Sequence, residues 1–189
     1  MYIIKLLLAL ILVITAINSY AEEELQPPKV TIWKKSQHGA VFSIQQILPD
    51  IVRAFYIGRG FTLEQIKPYA ESCVFTMTLL NDQAPGIMHF LRSNWSITSN
   101  GKSHAPRKTS DWLEQLKQDK VKMSGLIAFR FAQFPEEQEY QPNGDWNQGM
   151  LNVNLPIGSQ FDITLRWDVE GKPYKLTLPE VKCIEKSTN

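Results

Sequence analysis

The sequence has few of the residues that usually mark a catalytic or metal-binding centre. Its 189 residues include 2 cysteines and 3 histidines, and no H-x-H, C-x-x-C or G-x-S-x-G motif occurs in them. Gly58 and Gly60 form only a fragment of the G-x-G-x-x-G phosphate-binding fingerprint, because the third glycine is missing. These absences favour a protein that binds over one that catalyses, and we predict that it is not an enzyme.

The chain also lacks an excess of either charge. Lys and Arg number 20 and Asp and Glu number 19, which gives a formal net charge of +1. A chain this close to neutrality has no cationic excess to release counterions from phosphates, which excludes a polybasic nucleic-acid binder. The apolar content of 43% excludes a disordered chain and suits one compact core.

One long apolar run is present, and it lies at the N-terminus. Lys5 precedes the apolar residues 6–17, and Ser19 and Ala21 place small residues at positions −3 and −1 of a cut before Glu22. These are the three parts of a secretory signal peptide. An uncleaved membrane anchor is the alternative, but the run is shorter than the about 20 apolar residues of a spanning helix.

These boundaries define the expected organisation of the chain. We predict a signal peptide over residues 1–21, a flexible lead over residues 22–29 and a single β-rich domain over residues 30–189. The protein is then periplasmic or secreted, with no membrane span after cleavage.

The two cysteines fit an exported protein. Cys73 lies where a helical pattern changes to a strand pattern, and Cys183 ends the last strand-like segment. Because exported pairs usually oxidise, we predict a disulfide that ties the C-terminal strand to the middle of the domain. Two free buried thiols, or a redox or metal-thiolate pair, are the alternatives.

Apolar and polar residues alternate along several segments, as is typical of half-buried strands. The clearest cases are residues 161–169 and 174–183, joined by a turn at Gly171, and residues 73–80. Residues 87–98 predict a further long strand that bends near Asn94.

Other segments are less regular. Thr62 begins a capping-box pattern for a short helix, and a second short helix is predicted around Trp112. Residues 45–61 fit a helix or a strand, and their β-branched and aromatic content favours a strand. Residues 126–134 are apolar on nearly both faces, which predicts a central strand covered on both sides, and residues 136–149 predict an irregular loop.

Seven or eight strands with one or two short helices define the fold class. No regular strand–helix alternation occurs, which disfavours a doubly wound parallel sheet. We predict a mainly β protein, an antiparallel β-sandwich that is loosely immunoglobulin-like. A partly open β-barrel is the alternative.

The most unusual local sequence interleaves arginines with aromatic residues. Phe55, Tyr56, Arg59 and Phe61 could form a recognition surface, since Arg and Tyr are enriched at binding hot spots. The alternative is that the aromatic rings enter the core and the arginines pair with acidic residues. Trp146 is a second candidate, either as an exposed anchor or as a side chain that pins its loop.

Copper is the metal that the sequence favours most. Thioether and imidazole ligands suit it, and Met77, Met88 and His89 are the candidates. Adjacent strand residues point to opposite faces, so Met88 and His89 reach one ion only if the strand bulges. The alternative is that the methionines fill the core.

Together these features predict an exported, non-catalytic binding or assembly module that acts through an aromatic-basic surface. The expected partner is a protein of the cell envelope rather than a nucleic acid. A periplasmic copper-binding or metal-carrier protein is the alternative function.

Overall fold

The computed structural model describes residues 31–184, so the predicted signal peptide and lead lie outside the described residues. Ten strands and four α-helices occur within this range. The strands are β1 (Ile32–Gln37), β2 (Ala40–Ile47), β3 (Val74–Asn81), β4 (Met88–Leu91), β5 (Ser96–Ser99), β6 (Lys102–His104), β7 (Glu137–Tyr140), β8 (Asp145–Asn152), β9 (Gln160–Val169) and β10 (Lys172–Lys182). The helices are α1 (Pro49–Ile57), α2 (Leu63–Ala70), α3 (Thr109–Gln118) and α4 (Met123–Ala132).

The strands form two antiparallel sheets arranged as a sandwich. The first sheet has the order β1-β2-β3-β8. In the second, β9 pairs with β10 on one side and with both β4 and β5 on the other, and these two pair in turn with β7 and β6. The predicted antiparallel β-sandwich is confirmed. Within residues 31–184 the strands do not close into a barrel.

The long strand predicted over residues 87–98 is present in two pieces. Met88 pairs with Val169, and Ser96 pairs with Thr164 farther along the same edge of β9. A single 3₁₀ turn, Arg92–Asn94, separates the two pieces. The bend therefore occurs where the sequence predicts it.

Alternating side chains fill the space between the sheets. The odd-numbered residues of β9 from Phe161 to Val169 are all buried, as their spacing predicts. Phe75, Met77 and Leu79 contribute the facing side of β3. The predicted disulfide is also confirmed, since Cys73 and Cys183 are bonded at an S–S distance of 2.03 Å.

The four helices build a second apolar cluster on the outer face of the first sheet. Ile47, Val74 and Met150 are the strand residues that this cluster contacts. Its buried helical and loop members are Val52, Tyr56, Phe61, Ile66, Tyr69, Ala70, Trp112, Leu116, Val121, Leu126 and Phe129. The capping box is confirmed in α2, where Thr62 and Gln65 exchange hydrogen bonds.

Three local predictions are wrong, and residues 31–184 contain four α-helices rather than one or two. Residues 49–57 form α1, because Pro49 suits a first helical turn and the i, i+4 pair Val52 and Tyr56 enters the helical cluster. Residues 123–132 form α4 instead of a central strand. The predicted loop over residues 136–149 contains β7 and most of β8, whose polar residues lie at sheet edges.

Candidate binding surface

The predicted aromatic-basic surface over residues 53–61 is divided by the helical fold. Tyr56 and Phe61 are buried and pack edge-to-face, with ring centroids 5.1 Å apart. Arg59 is exposed, but its guanidinium lies 3.4 Å from the centroid of the Phe55 ring and donates to the Phe55 carbonyl at 2.7 Å. Tyr56 and Phe61 therefore belong to the core, because α1 turns this side of the segment inward.

The Tyr56 hydroxyl takes part in a polar network inside the helical layer. Gln133 donates to it at 2.9 Å, and the hydroxyl lies 3.4 Å from the sulfur of Met150. Tyr69 donates to the Gln133 side-chain oxygen at 2.9 Å. Burial raises the pKa of both tyrosines, which stay neutral. The network joins α1, α2 and the end of α4 to β8.

The predicted copper ligands do not converge. Met77 and Met88 are buried in the sandwich core, whereas His89 lies on the outer face of the second sheet. The His89 Nε2 lies 2.9 Å from a Glu137 carboxylate oxygen, and its Nδ1 lies 3.1 Å from one of Asp168. The hydrogen bond to Glu137 is the largest cause of a raised pKa at His89, and the hydrogen bond to Asp168 is the next largest. The three side chains therefore lie on two different faces of the sheets, and in the described part of the chain no group of three or more His, Cys, Asp or Glu residues is arranged to hold a metal.

A cavity of about 470 Å³ lies beside His89 and is also lined by Arg166 and Tyr174. Its charged groups already have partners, because His89 faces two carboxylates and Arg166 donates to the Asn94 carbonyl at 2.8 Å. These contacts therefore indicate a role in the local packing of the sheet rather than in a chemical step.

The outer side of α4 carries an apolar stripe that sequence reasoning missed. Met123, Ile127 and Phe131 repeat every four residues along one side of the helix. Their exposed fractions are 67%, 49% and 81%. Leu126 and Phe129 cover the opposite side in the helical cluster. The segment is apolar on two sides, as the sequence indicates, but the described residues cover only one of them.

Basic residues accompany this stripe. Lys120, Lys122 and Arg130 are exposed, and no acidic residue occurs between positions 120 and 135. Arg130 lies three residues after Ile127, on the same side of α4, and it lines one groove together with Phe131. We call Met123, Ile127, Arg130 and Phe131 the α4 contact face. It has the aromatic-basic chemistry that the sequence suggested for residues 53–61.

A groove of about 670 Å³ lies between the α4 contact face and β8. Arg130, Phe131 and Leu113 line its helical side, and Asn147 and Gln148 line its strand side. The neighbouring Trp146 is 57% exposed and lies on β8 rather than in a loop. Phe131 on α4 and Trp146 on β8 are therefore exposed aromatic residues on the two elements that flank the groove.

A buried arginine fixes the floor of this groove. Arg92 donates to the Phe134 carbonyl at 2.6 Å and to the Thr109 hydroxyl at 3.2 Å. Glu136 lies 3.3 Å from Arg92 and accepts from the Thr109 backbone N–H at 2.7 Å. Burial lowers the pKa of Arg92, and Glu136 opposes that effect. The contacts join the second sheet, the start of α3 and residues 134–136.

No protein-family model matches this chain, and comparison with curated proteins and with solved structures gave no match. None of the helices described over residues 31–184 has the length and apolar character needed to cross a membrane.

Proposed function

We propose that the protein is an exported, non-catalytic binding or assembly module that meets a protein partner of the cell envelope through the α4 contact face. The observation that carries this proposal is the alignment of Met123, Ile127 and Phe131 on the uncovered side of α4. Helices that are apolar on all sides are normally covered on all sides. An exposed apolar stripe beside polar residues is typical of an interaction site.

The energetics favour association at this face. Burying a Phe, Ile or Met side chain contributes about 1.5–3 kcal/mol relative to leaving it exposed. Arg130 adds a donor group next to Phe131, and interface cores are enriched in aromatic residues, Met and Arg. The Arg92 contacts hold the adjacent groove in one shape, which lowers the entropy lost on binding.

Two further observations support the export part of the proposal. The sequence pattern before Glu22 predicts a signal peptide. The Cys73–Cys183 disulfide is compatible with an oxidising compartment.

Quantitative affinity capture tests the proposal. The tagged protein is exported in its native host and cross-linked with a membrane-impermeant reagent, and co-purified proteins are quantified by mass spectrometry. We expect Phe131→Ser and Ile127→Ser each to lower recovery of the main partner at least tenfold. Ile51→Ser is the matched control, because Ile51 is a comparably exposed isoleucine on α1. Equal recovery with all three variants would exclude the α4 contact face.

A further inference from the structure

The groove beside the α4 contact face reaches the outer edge of β8 at Asn147 and Gln148. Among the strands of residues 31–184, β8 pairs with β3 alone, in an unbroken register that runs from Val74–Asn152 to Asn81–Asp145. In an antiparallel pair, alternate residues direct their backbone N–H and C=O groups toward the partner, and the remaining residues direct theirs away from it. One side of β8 is therefore an edge with its own donors and acceptors.

The direction of these groups follows from one hydrogen bond. The Met150 carbonyl accepts from the Phe134 backbone N–H at 2.9 Å, on the side of β8 away from β3. Gln148 and Trp146 lie two and four residues earlier in the same register, so their backbone groups point the same way. Among residues 31–184, no backbone or side-chain group is hydrogen-bonded to these outward groups.

The chain itself occupies the first position along this edge. Gln133 forms a parallel bridge with Met150, and Phe134 supplies the hydrogen bond described above. Pro135 then directs the chain toward β7 in the other sheet. The groove lies next along this edge, beside Asn147 and Gln148. The strand segment Asp145–Gln148 that leads to it is about 13 Å long at 3.3 Å per residue.

The other sheet edges carry features that discourage strand addition. β10 contains Pro173 and Pro179 and an irregularity in its register, and the β1 edge carries Lys34 and Lys35. β6 and β7 are only three and four residues long. The eight residues of β8 include neither proline nor lysine.

We infer that the partner contributes an extended polypeptide segment, which adds as a strand to the free edge of β8 and packs its side chains against Phe131 and Trp146. This inference rests on the proposed function and names the chemistry of its partner. A row of unpaired backbone N–H and C=O groups binds an extended chain, because a helix already uses its own backbone groups in internal hydrogen bonds. The α4 contact face then supplies side-chain contacts beside a main-chain interaction.

A peptide-display experiment tests the inference without a known partner. Random twelve-residue peptides are selected on the exported, disulfide-bonded protein, and selected peptides are titrated against variants. Gln148→Pro removes the outward N–H, and proline is tolerated at the outer edge of a sheet. Gln148→Val keeps that N–H and serves as the matched control. We expect Gln148→Pro to weaken binding at least tenfold and Gln148→Val to change it less than threefold.

Two measurements on the wild-type protein keep the test decisive if Gln148→Pro does not fold. Bound peptide should slow amide hydrogen exchange at Trp146 and Gln148. Two sets of peptides should also be compared, one methylated at the odd-numbered backbone nitrogens and the other at the even-numbered ones. We expect one set to lose binding and the other to keep it.

Each remaining outcome has a defined meaning. Binding that survives Gln148→Pro but is lost in Phe131→Ser would overturn strand addition and leave the proposed function intact. Equal losses in Gln148→Pro and Gln148→Val would assign the effect to the side chain and also overturn it. Failure to select any peptide would count against strand addition, while the affinity capture separately decides the proposed function.

Discussion

The Phe134 backbone N–H donates to the Met150 carbonyl at 2.9 Å, while the Phe134 ring stacks on Phe90 inside the sandwich core. This residue thereby connects the end of α4, the edge of β8 and the space between the sheets. Gly149 permits the close approach, since a Cβ atom there would lie 2.5 Å from the Phe134 nitrogen.

Gly149→Ala should therefore destabilise the fold. Because the nearest atoms belong to the backbone, relief requires a shift of residues 133–134, and overpacking of this kind costs about 1–3 kcal/mol. Urea unfolding followed by circular dichroism measures the change. Gly58→Ala is the control, since its added Cβ would meet its nearest atom at 3.5 Å. Equal stability of the two variants would contradict the packing described for Phe134.

Removal of Arg92 should weaken the floor of the groove. Arg92→Met keeps much of the buried volume but leaves the Phe134 carbonyl without its 2.6 Å donor. An unsatisfied buried polar group costs about 1–3 kcal/mol. Chemical denaturation should show a loss in that range, whereas Arg166→Met, at an exposed arginine, should stay within about 0.5 kcal/mol. An Arg92→Met variant as stable as the wild type would show that Arg92 does not hold the groove.

The disulfide should contribute strongly to the free energy of unfolding. Cys73 and Cys183 are separated by 110 positions, and closing a loop of this size stabilises by roughly 4–5 kcal/mol in the chain-entropy model. Unfolding of the same protein in oxidised and reduced form measures the difference. A reduced protein as stable as the oxidised one would contradict this role.

His89 should make stability decrease as the pH rises. Its pKa in the folded protein is raised by Glu137 and Asp168, so the protonated ring stabilises the fold. This contribution is complete below the ordinary pKa of about 6.5 and is lost as the pH passes through the raised value. For a partly exposed group it amounts to less than about 1 kcal/mol. Denaturation of wild type and His89→Gln between pH 5 and pH 9 should differ in slope, and identical slopes would exclude the effect.

The sequence predicts the fold best where an element buries one side only and its buried residues are regularly spaced. The strict alternation along β9 and the in-phase residues Tyr174, Leu176 and Leu178 of β10 predict both strands, and the hydroxyl cap at Thr62 predicts α2. Strand β7 and residues 145–149 of β8 escape prediction, because most of their side chains face solvent and show no apolar alternation.

The candidate site is a harder problem, because exposure depends on tertiary structure. Aromatic residues at Tyr56 and at Phe131 look alike in the sequence, yet α1 buries the first and α4 exposes the second. The signal that could have found Phe131 is the apolar character of residues 126–134 on both sides. That pattern predicts a buried strand, whereas only one side of α4 is covered within residues 31–184.

Photo-cross-linking from α4 tests the binding function most directly. A photoreactive phenylalanine analogue replaces Phe131 in the exported protein, and the same analogue at Ile51 is the control. We expect irradiation of intact cells to link position 131, and not position 51, to one predominant envelope protein. No adduct at position 131, or the same adducts from both positions, would contradict the assignment of α4 as the binding surface.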